Sequence, residues 1–206
     1  MKEYTVAILG ATGAVGTQML TCLEERNFPV GTIKLLASAR SAGKVMQFKG
    51  EDVVIEEATP EAFAGCDIVL GAADDSIAKA LLPAAVEAGA TVVDNSHAFR
   101  MDPDVPLVIP EINGADIAQH KGIIANPNCA TIIALVPTWP LHQLAGVKRM
   151  IVSTYQAASG AGAPGMAELE AQIAAMGRGE AIPEPKAFAA QLVSNLIPQI
   201  GGFDDE

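Results

Sequence analysis

Along the first 130 residues, short apolar runs alternate with stretches whose apolar positions recur at helical spacing. Val6-Ala-Ile-Leu9 is a brief run closed by a glycine. Val15, Met19, Cys22 and Leu23 then share one face of a helix over residues 15–26. Further strands are predicted at residues 33–37, 53–55, 67–71 and 91–93, with a helix over 76–88 before the last of them. Strands alternating with helices at this spacing predict an α/β fold, a doubly wound parallel sheet with helices on its faces. Past Cys129 the pattern changes to an apolar helix over 130–136, a long strand over 147–156 and a glycine-rich loop over 159–165. A helix follows over 166–176, and residues 178–206 are rich in glycine and proline, ending in Gly-Gly-Phe-Asp-Asp-Glu without a closing element. The expectation is one complete domain and the start of another.

Residues 122–147 contain no Asp, Glu, Lys or Arg. They do contain Asn126, Pro127, Asn128, Pro137, Pro140, His142 and Gln143, which hydrocarbon accommodates poorly, so buried core is expected and not a membrane span. Half of the 206 residues are apolar, enough for a sizeable core and too many for a disordered chain. Twenty-four acidic against 13 basic residues give a net charge of -11, which repels a nucleic-acid backbone and argues against such a partner. A phosphorylated ligand must then be held by a few local donors. Three cysteines at irregular spacing, Cys22, Cys66 and Cys129, make neither a disulfide framework nor a metal pair. With no targeting segment visible after Met1, they fit a cytoplasmic setting.

Gly10-Ala-Thr-Gly13-Ala-Val-Gly16 follows a predicted strand and opens a helix. This is a variant of the Rossmann dinucleotide fingerprint. Gly10 serves the tight turn, Gly13 the close approach of a pyrophosphate, and Gly16 the packing of helix on strand. After the second strand, where an acidic residue usually receives the ribose of NAD, the chain reads Ser38-Ala-Arg40-Ser41-Ala-Gly-Lys44. A guanidinium, a hydroxyl and an ammonium there suit a 2′-phosphate, which predicts NADP. Cys129 follows Asn126-Pro-Asn128, and Asn128 is a natural N-cap. That places the thiol in the first turn of a helix, where the dipole and free N–H groups favour the nucleophilic thiolate. Cys22 and Cys66 are read as ordinary interior cysteines. Arg100, after the strand ending near Asp94, could clamp an anionic substrate or lie on the surface. His97, His120 and His142 have no metal-ligand spacing and are read as structural.

Together these segments resemble the aspartate-semialdehyde dehydrogenases. The likeness runs through Gly10 to Gly16, Ala37 to Lys44, Val93-Asp-Asn-Ser96 with Phe99-Arg100, Pro106 to Asn113, Asn126-Pro-Asn-Cys129 and Ser153 to Gly162. It implies an NADP(H)-binding Rossmann-type domain over 1–128 and, over 129–206, the beginning of an α+β catalytic and dimerisation domain. It also implies an NADPH-dependent oxidoreductase acting on L-aspartyl-4-phosphate, in lysine, threonine and methionine biosynthesis. Cys129 would displace phosphate to give a thioester, which hydride converts through a thiohemiacetal to the aldehyde. By the same resemblance Gln156 orients the substrate, and Arg100 with Asn128 holds phosphate. Thr12, Gly13, Ala14 and Val15, Arg40 with Ser41, and Ser159 with Gly160 line the nucleotide site, and the assembly is a homodimer.

Three departures from the family pattern matter. Members continue beyond a point equivalent to Glu206, where an acid/base histidine lies, so the 206 residues alone are expected to be feebly active. His97 stands where a small hydroxyl residue is usual. Asp74-Asp75 occupies a loop that is usually small and neutral, and two carboxylates beside a pyrophosphate would weaken its binding unless they point away. Two rival readings stay open: a non-catalytic NADP-binding module, and a sister N-acyl-glutamyl-phosphate reductase.

Overall fold

The computed structural model describes residues 2–199. The chain divides into two compact units, Met1–Ser153 and Thr154–Glu206. The first contains, in chain order, β1 (Tyr4–Leu9), α1 (Ala14–Glu25), β2 (Val30–Ala37), β3 (Val45–Phe48), β4 (Glu51–Glu57), β5 (Ile68–Gly71), α2 (Asp75–Glu87), β6 (Thr91–Asp94), α3 (Pro110–Asn113), β7 (Ile123–Ala125) and α4 (Cys129–Ala145). The strands form one seven-stranded sheet in the order β3-β4-β2-β1-β5-β6-β7. Every neighbouring pair is parallel except β3 with β4.

The alternation of side chains along β1 explains why its sequence is apolar throughout. Ala7 and Leu9 join one buried cluster with Leu36, Val69, Val92 and the α2 residues Ala78, Leu82 and Ala85. Val6 and Ile8 enter the other, with Leu35, Ile55 and Leu20 of α1. A strand covered on both faces has no polar side to show.

The structure differs from the sequence reading in several places. Residues 53–55 are the middle of a longer strand, β4, which turns back on the unforeseen β3. The turn uses positive φ at Lys49 and Gly50, the requirement of a tight hairpin, but without the asparagine that usually advertises it. Within the apolar stretch, β7 pairs with β6 and contributes the buried Ile124 and Ala125. The helix beyond it is not core: α4 has no buried residue, and Ile133 and Leu144 are 73% and 85% exposed. Finally, residues 147–156 form no strand. A strand persists only with a hydrogen-bonded neighbour, and among the described residues none pairs with this segment.

In the second unit, the glycine-rich loop is itself helical, a 3-10 turn over Ala158–Ala161 that runs into α5 (Gly162–Arg178). Two side chains of α5 hold the segment that follows it. The buried Gln172 accepts the Leu192 and Val193 N–H groups through Oε1, at 3.0 and 2.9 Å. Glu168 Oε2 accepts from Ala187 at 2.5 Å and Lys186 at 2.6 Å, and these N–H groups hold its carboxyl below the usual carboxylate range. The Gly201–Glu206 ending lies outside the described residues.

Candidate active site at the carboxyl ends of the strands

Strand order reverses between β1 and β5, whose neighbours run outward in opposite senses. In an open parallel sheet this is where the loops diverge and leave a crevice. The glycine turn lies there. Gly10 has φ +86, and its N–H and that of Ala11 donate to Leu36 O at 2.8 and 3.1 Å, tying the turn to β2. A Cβ on Gly10 would lie 2.7 Å from Ala72 O, and one on Gly16 only 2.2 Å from Gly10 O. Both positions exclude a side chain. At Gly13 the nearest obstacle would be Gly10 O at 3.3 Å, so that side of the turn stays open. Gly13 is the N-cap of α1 and supplies no side-chain cap, and Thr12, Ala14 and Val15 are exposed around it. The first-turn amides of α1 are therefore directed at the crevice without a side-chain acceptor of their own, which fits an anionic phosphate group.

The loop after β2 is a compact turn in which Ser41 and Ala42 N–H groups donate to Ser38 O at 2.8 and 3.2 Å. Arg40 and Lys44 are exposed on it, whereas Ser41 is buried. The charged pair is thus the accessible part of this loop.

Asp74 and Asp75 are each committed to N–H groups. Asp74 caps α2, accepting from Ser76 N at 3.0 Å, Ile77 N at 3.1 Å and Ser76 Oγ at 2.6 Å. The Ser76 hydroxyl, then the Ile77 N–H, holds its carboxyl below the ordinary value. Asp75 crosses to the loop after β6, where its Oδ1 accepts the His97 N–H at 2.8 Å and its Oδ2 lies 3.7 Å from His97 Nδ1.

That loop is built on a buried carboxylate. Asp94, fully buried at the end of β6, accepts from Ser96 N at 3.1 Å and Ser96 Oγ at 2.5 Å, and Ser96 Oγ accepts from Ala98 N at 3.1 Å. Gly71 on β5 leaves room for it, since a Cβ there would lie 2.6 Å from Asp94 Oδ1. The turn that follows closes from Arg100 N to His97 O at 3.3 Å. It delivers Arg100 to the end of β7. There Nε donates to Asn126 O at 2.9 Å and Nη2 to Asn95 O at 3.0 Å. Asn126 Nδ2 also donates to Asn95 Oδ1. A guanidinium carries five N–H groups, so this half-buried arginine is fixed through two and retains others for an anion.

Two residues beyond Asn126, Asn128 caps α4 through Oδ1, which accepts from Ala130 N at 2.9 Å. Cys129 is the first residue of α4 and is exposed, with Sγ 4.0 Å from Asn128 Oδ1. Cys66, by contrast, is buried, and burial pushes its thiol up. His120 Nδ1 accepts the Gly122 N–H at 3.0 Å and the His142 ring stacks on Trp139, both structural roles. In the second unit Gln156 lies over the 3-10 turn, its Nε2 2.3 Å from where a Cβ on Gly160 would stand, with Ser159 exposed beside it. The structure thus groups Arg100, Asn128 and Cys129 in the first unit and Gln156, Ser159 and Gly160 in the second. Sequence reasoning did not single out Asn95, Asn126 or Asp94 as parts of this site. The Asp-x-Ser spacing of a local side-chain turn was the available clue to Asp94. Among the described residues no cluster could hold a metal ion, and no helix is long and apolar enough to cross a membrane.

Residues 5–120 match the semialdehyde dehydrogenase NAD binding domain, and residues 139–206 match the semialdehyde dehydrogenase dimerisation domain. An aspartate-semialdehyde dehydrogenase of Synechocystis is 52% identical over 193 residues, covering 94% of this chain and 57% of the relative. A crystal structure of aspartate semialdehyde dehydrogenase II from Vibrio cholerae, complexed with ASA, superposes with a TM-score of 0.95 at 43% identity, over 100% of this chain and 61% of that one. An aspartate semialdehyde dehydrogenase structure with NADP from Candida albicans matches with a TM-score of 0.59 at 30% identity, over 71% of this chain and 48% of that one. The chain therefore spans about three fifths of the length of its nearer relatives. With the glycine turn, the capped cysteine and both domain matches in the same order, the chain belongs to the semialdehyde dehydrogenase family.

Proposed function

We propose that this chain carries the nucleotide-binding domain and the nucleophile of an NADP-dependent aspartate-semialdehyde dehydrogenase. The observation that carries the reading is Cys129, exposed at the first position of a capped helix three residues from the carbonyl that fixes Arg100. The turn over Gly10 to Gly16 and the first-turn amides of α1 hold the pyrophosphate. Arg40 and Lys44 receive the 2′-phosphate, which favours NADP over NAD. NADPH, when bound, supplies the hydride that takes the acyl group to the aldehyde. Cys129 Sγ attacks the acyl carbon of aspartyl-4-phosphate, forming the C–S bond as the C–O bond to phosphate breaks. Arg100, held by two carbonyls but with N–H groups to spare, receives the departing phosphate beside Asn128.

The match to a dimerisation domain, with the exposed apolar side chains of α4, supports a homodimer of the whole protein. Light scattering on the protein that carries this chain tests that part. The chemical reading is tested by Cys129→Ala. It should lower kcat for phosphate-dependent oxidation of aspartate semialdehyde by about 10⁴-fold or more while NADP binding is retained. Activity within tenfold of the parent would overturn the assignment, and a preference for acetylglutamyl phosphate over aspartyl phosphate would move it to the sister reductases.

A further inference from the structure

The carboxylate of Asp75 is spent on a neighbouring loop, not on its own helix. Asp74 already caps α2, so Asp75, the first helical residue, is free to reach sideways. It meets His97 twice, at the backbone N–H (2.8 Å) and near the ring (3.7 Å from Nδ1). His97 is the residue whose carbonyl closes the turn with the Arg100 N–H. Asp75 therefore grips the first residue of a turn whose last residue is Arg100. The other end of that turn is held by the Arg100 guanidinium on Asn95 O and Asn126 O, next to Asn128 and Cys129. Inside the loop, Asp94 and Ser96 fix the backbone from the core side. Their grip reaches the Ala98 N–H and so holds the backbone on both sides of His97 from the core, while Asp75 adds a contact at His97 from the α2 side.

We infer that Asp75 is a positioning residue for Arg100, a latch from the first residue of α2 to the loop after β6 that aims the guanidinium at a phosphate group. The inference rests on the proposed reading of Arg100 as the phosphate-binding residue and adds to it the group that sets the aim. Both latch residues are accessible, their side chains 50% and 71% exposed, so their removal leaves the core intact. The contact also accounts for the acidic pair in a loop near a nucleotide site, because neither carboxylate faces the crevice unpartnered.

The test compares the parent chain with Asp75→Ala and Asp75→Asn by NMR, following exchange of the His97 amide and the Arg100 Nε–H, with inorganic phosphate as the titrant. In Asp75→Ala both protons should exchange faster and phosphate should bind about tenfold more weakly, with an unchanged melting temperature. Asp75→Asn keeps an acceptor for the His97 N–H and should restore both protection and affinity. If Asp75→Ala leaves Arg100 Nε–H protection and phosphate affinity at parental values, the latch is overturned. If phosphate fails to shift the Arg100 Nε–H even in the parent, the phosphate reading of Arg100 fails. The two exchange rates then decide the latch independently.

Discussion

Helices α2 and α4 are built alike and end up differently. Each begins at the carboxyl end of a strand region, each is capped by the side chain of the preceding residue, Asp74 or Asn128, and each has proline inside. Yet α2 buries Ala78, Leu82 and Ala85 against the sheet, while α4, with no charged residue along its length, buries nothing. Cap and spacing are thus enough to form a helix, and burial is a separate matter. A polar face tells α2 which side to turn outward. An apolar surface all round gives α4 no such instruction and calls for cover on several sides. Among the described residues that cover is partial, so Ile133, Leu141 and Leu144 stand in solvent.

The largest effect that could break this contrast comes from paired truncations. Leu82→Ala removes a fully buried side chain from the α2 contact and should cost about 2–5 kcal/mol in denaturant unfolding. A loss below about 1 kcal/mol would mean that α2 is not the anchored helix of the pair. Next come the caps. Asp74→Ala and Asn128→Ala should each cost about 1 kcal/mol, equal effects from helices whose burial is unequal. If the Asn128 cap proves worthless, α4 does not stand as a capped helix.

The same two caps should part company in acid. The Asp74 carboxyl titrates below its unfolded value, so its contribution is complete above about pH 4 and is lost as pH falls through the folded pKa. Asn128 cannot titrate. Urea midpoints of Asp74→Asn and the parent should therefore converge as pH falls below about 4, whereas the Asn128→Ala difference should hold constant. The smallest effect is expected at Leu144→Ala on the exposed side of α4, within about 0.5 kcal/mol of the parent. A larger loss would show that something in solution covers this face.

Much of the first unit was legible in the chain because its cues are local. Gly10 and Gly16 sit where a Cβ would strike backbone, as a tight turn and close helix packing require, and the capped start of α4 follows from Asn128 alone. The doubly covered strands likewise announce themselves as unbroken apolar runs. Prediction failed where a partner decides the outcome. Residues 147–156 have strand-forming side chains and no strand beside them, and β7 looked like any other piece of an apolar stretch until β6 paired with it.

The candidate site divides along the same line. The sequence by itself determined which groups are present: a thiol at a helix start, an arginine after β6, a basic turn after β2. Their identities and caps depend on neighbours a few residues away. Tertiary structure alone decided that Arg100 is fixed by the carbonyls of Asn95 and Asn126, and that Asp94 is buried in the space left by Gly71. It also decided that Asp75, at the start of α2, meets His97 in the loop after β6. Those partners are 5 to 26 residues apart in the chain. No local pattern specifies which of many polar groups will meet; the parallel sheet does so, by bringing the carboxyl ends of β5, β6 and β7 to one edge.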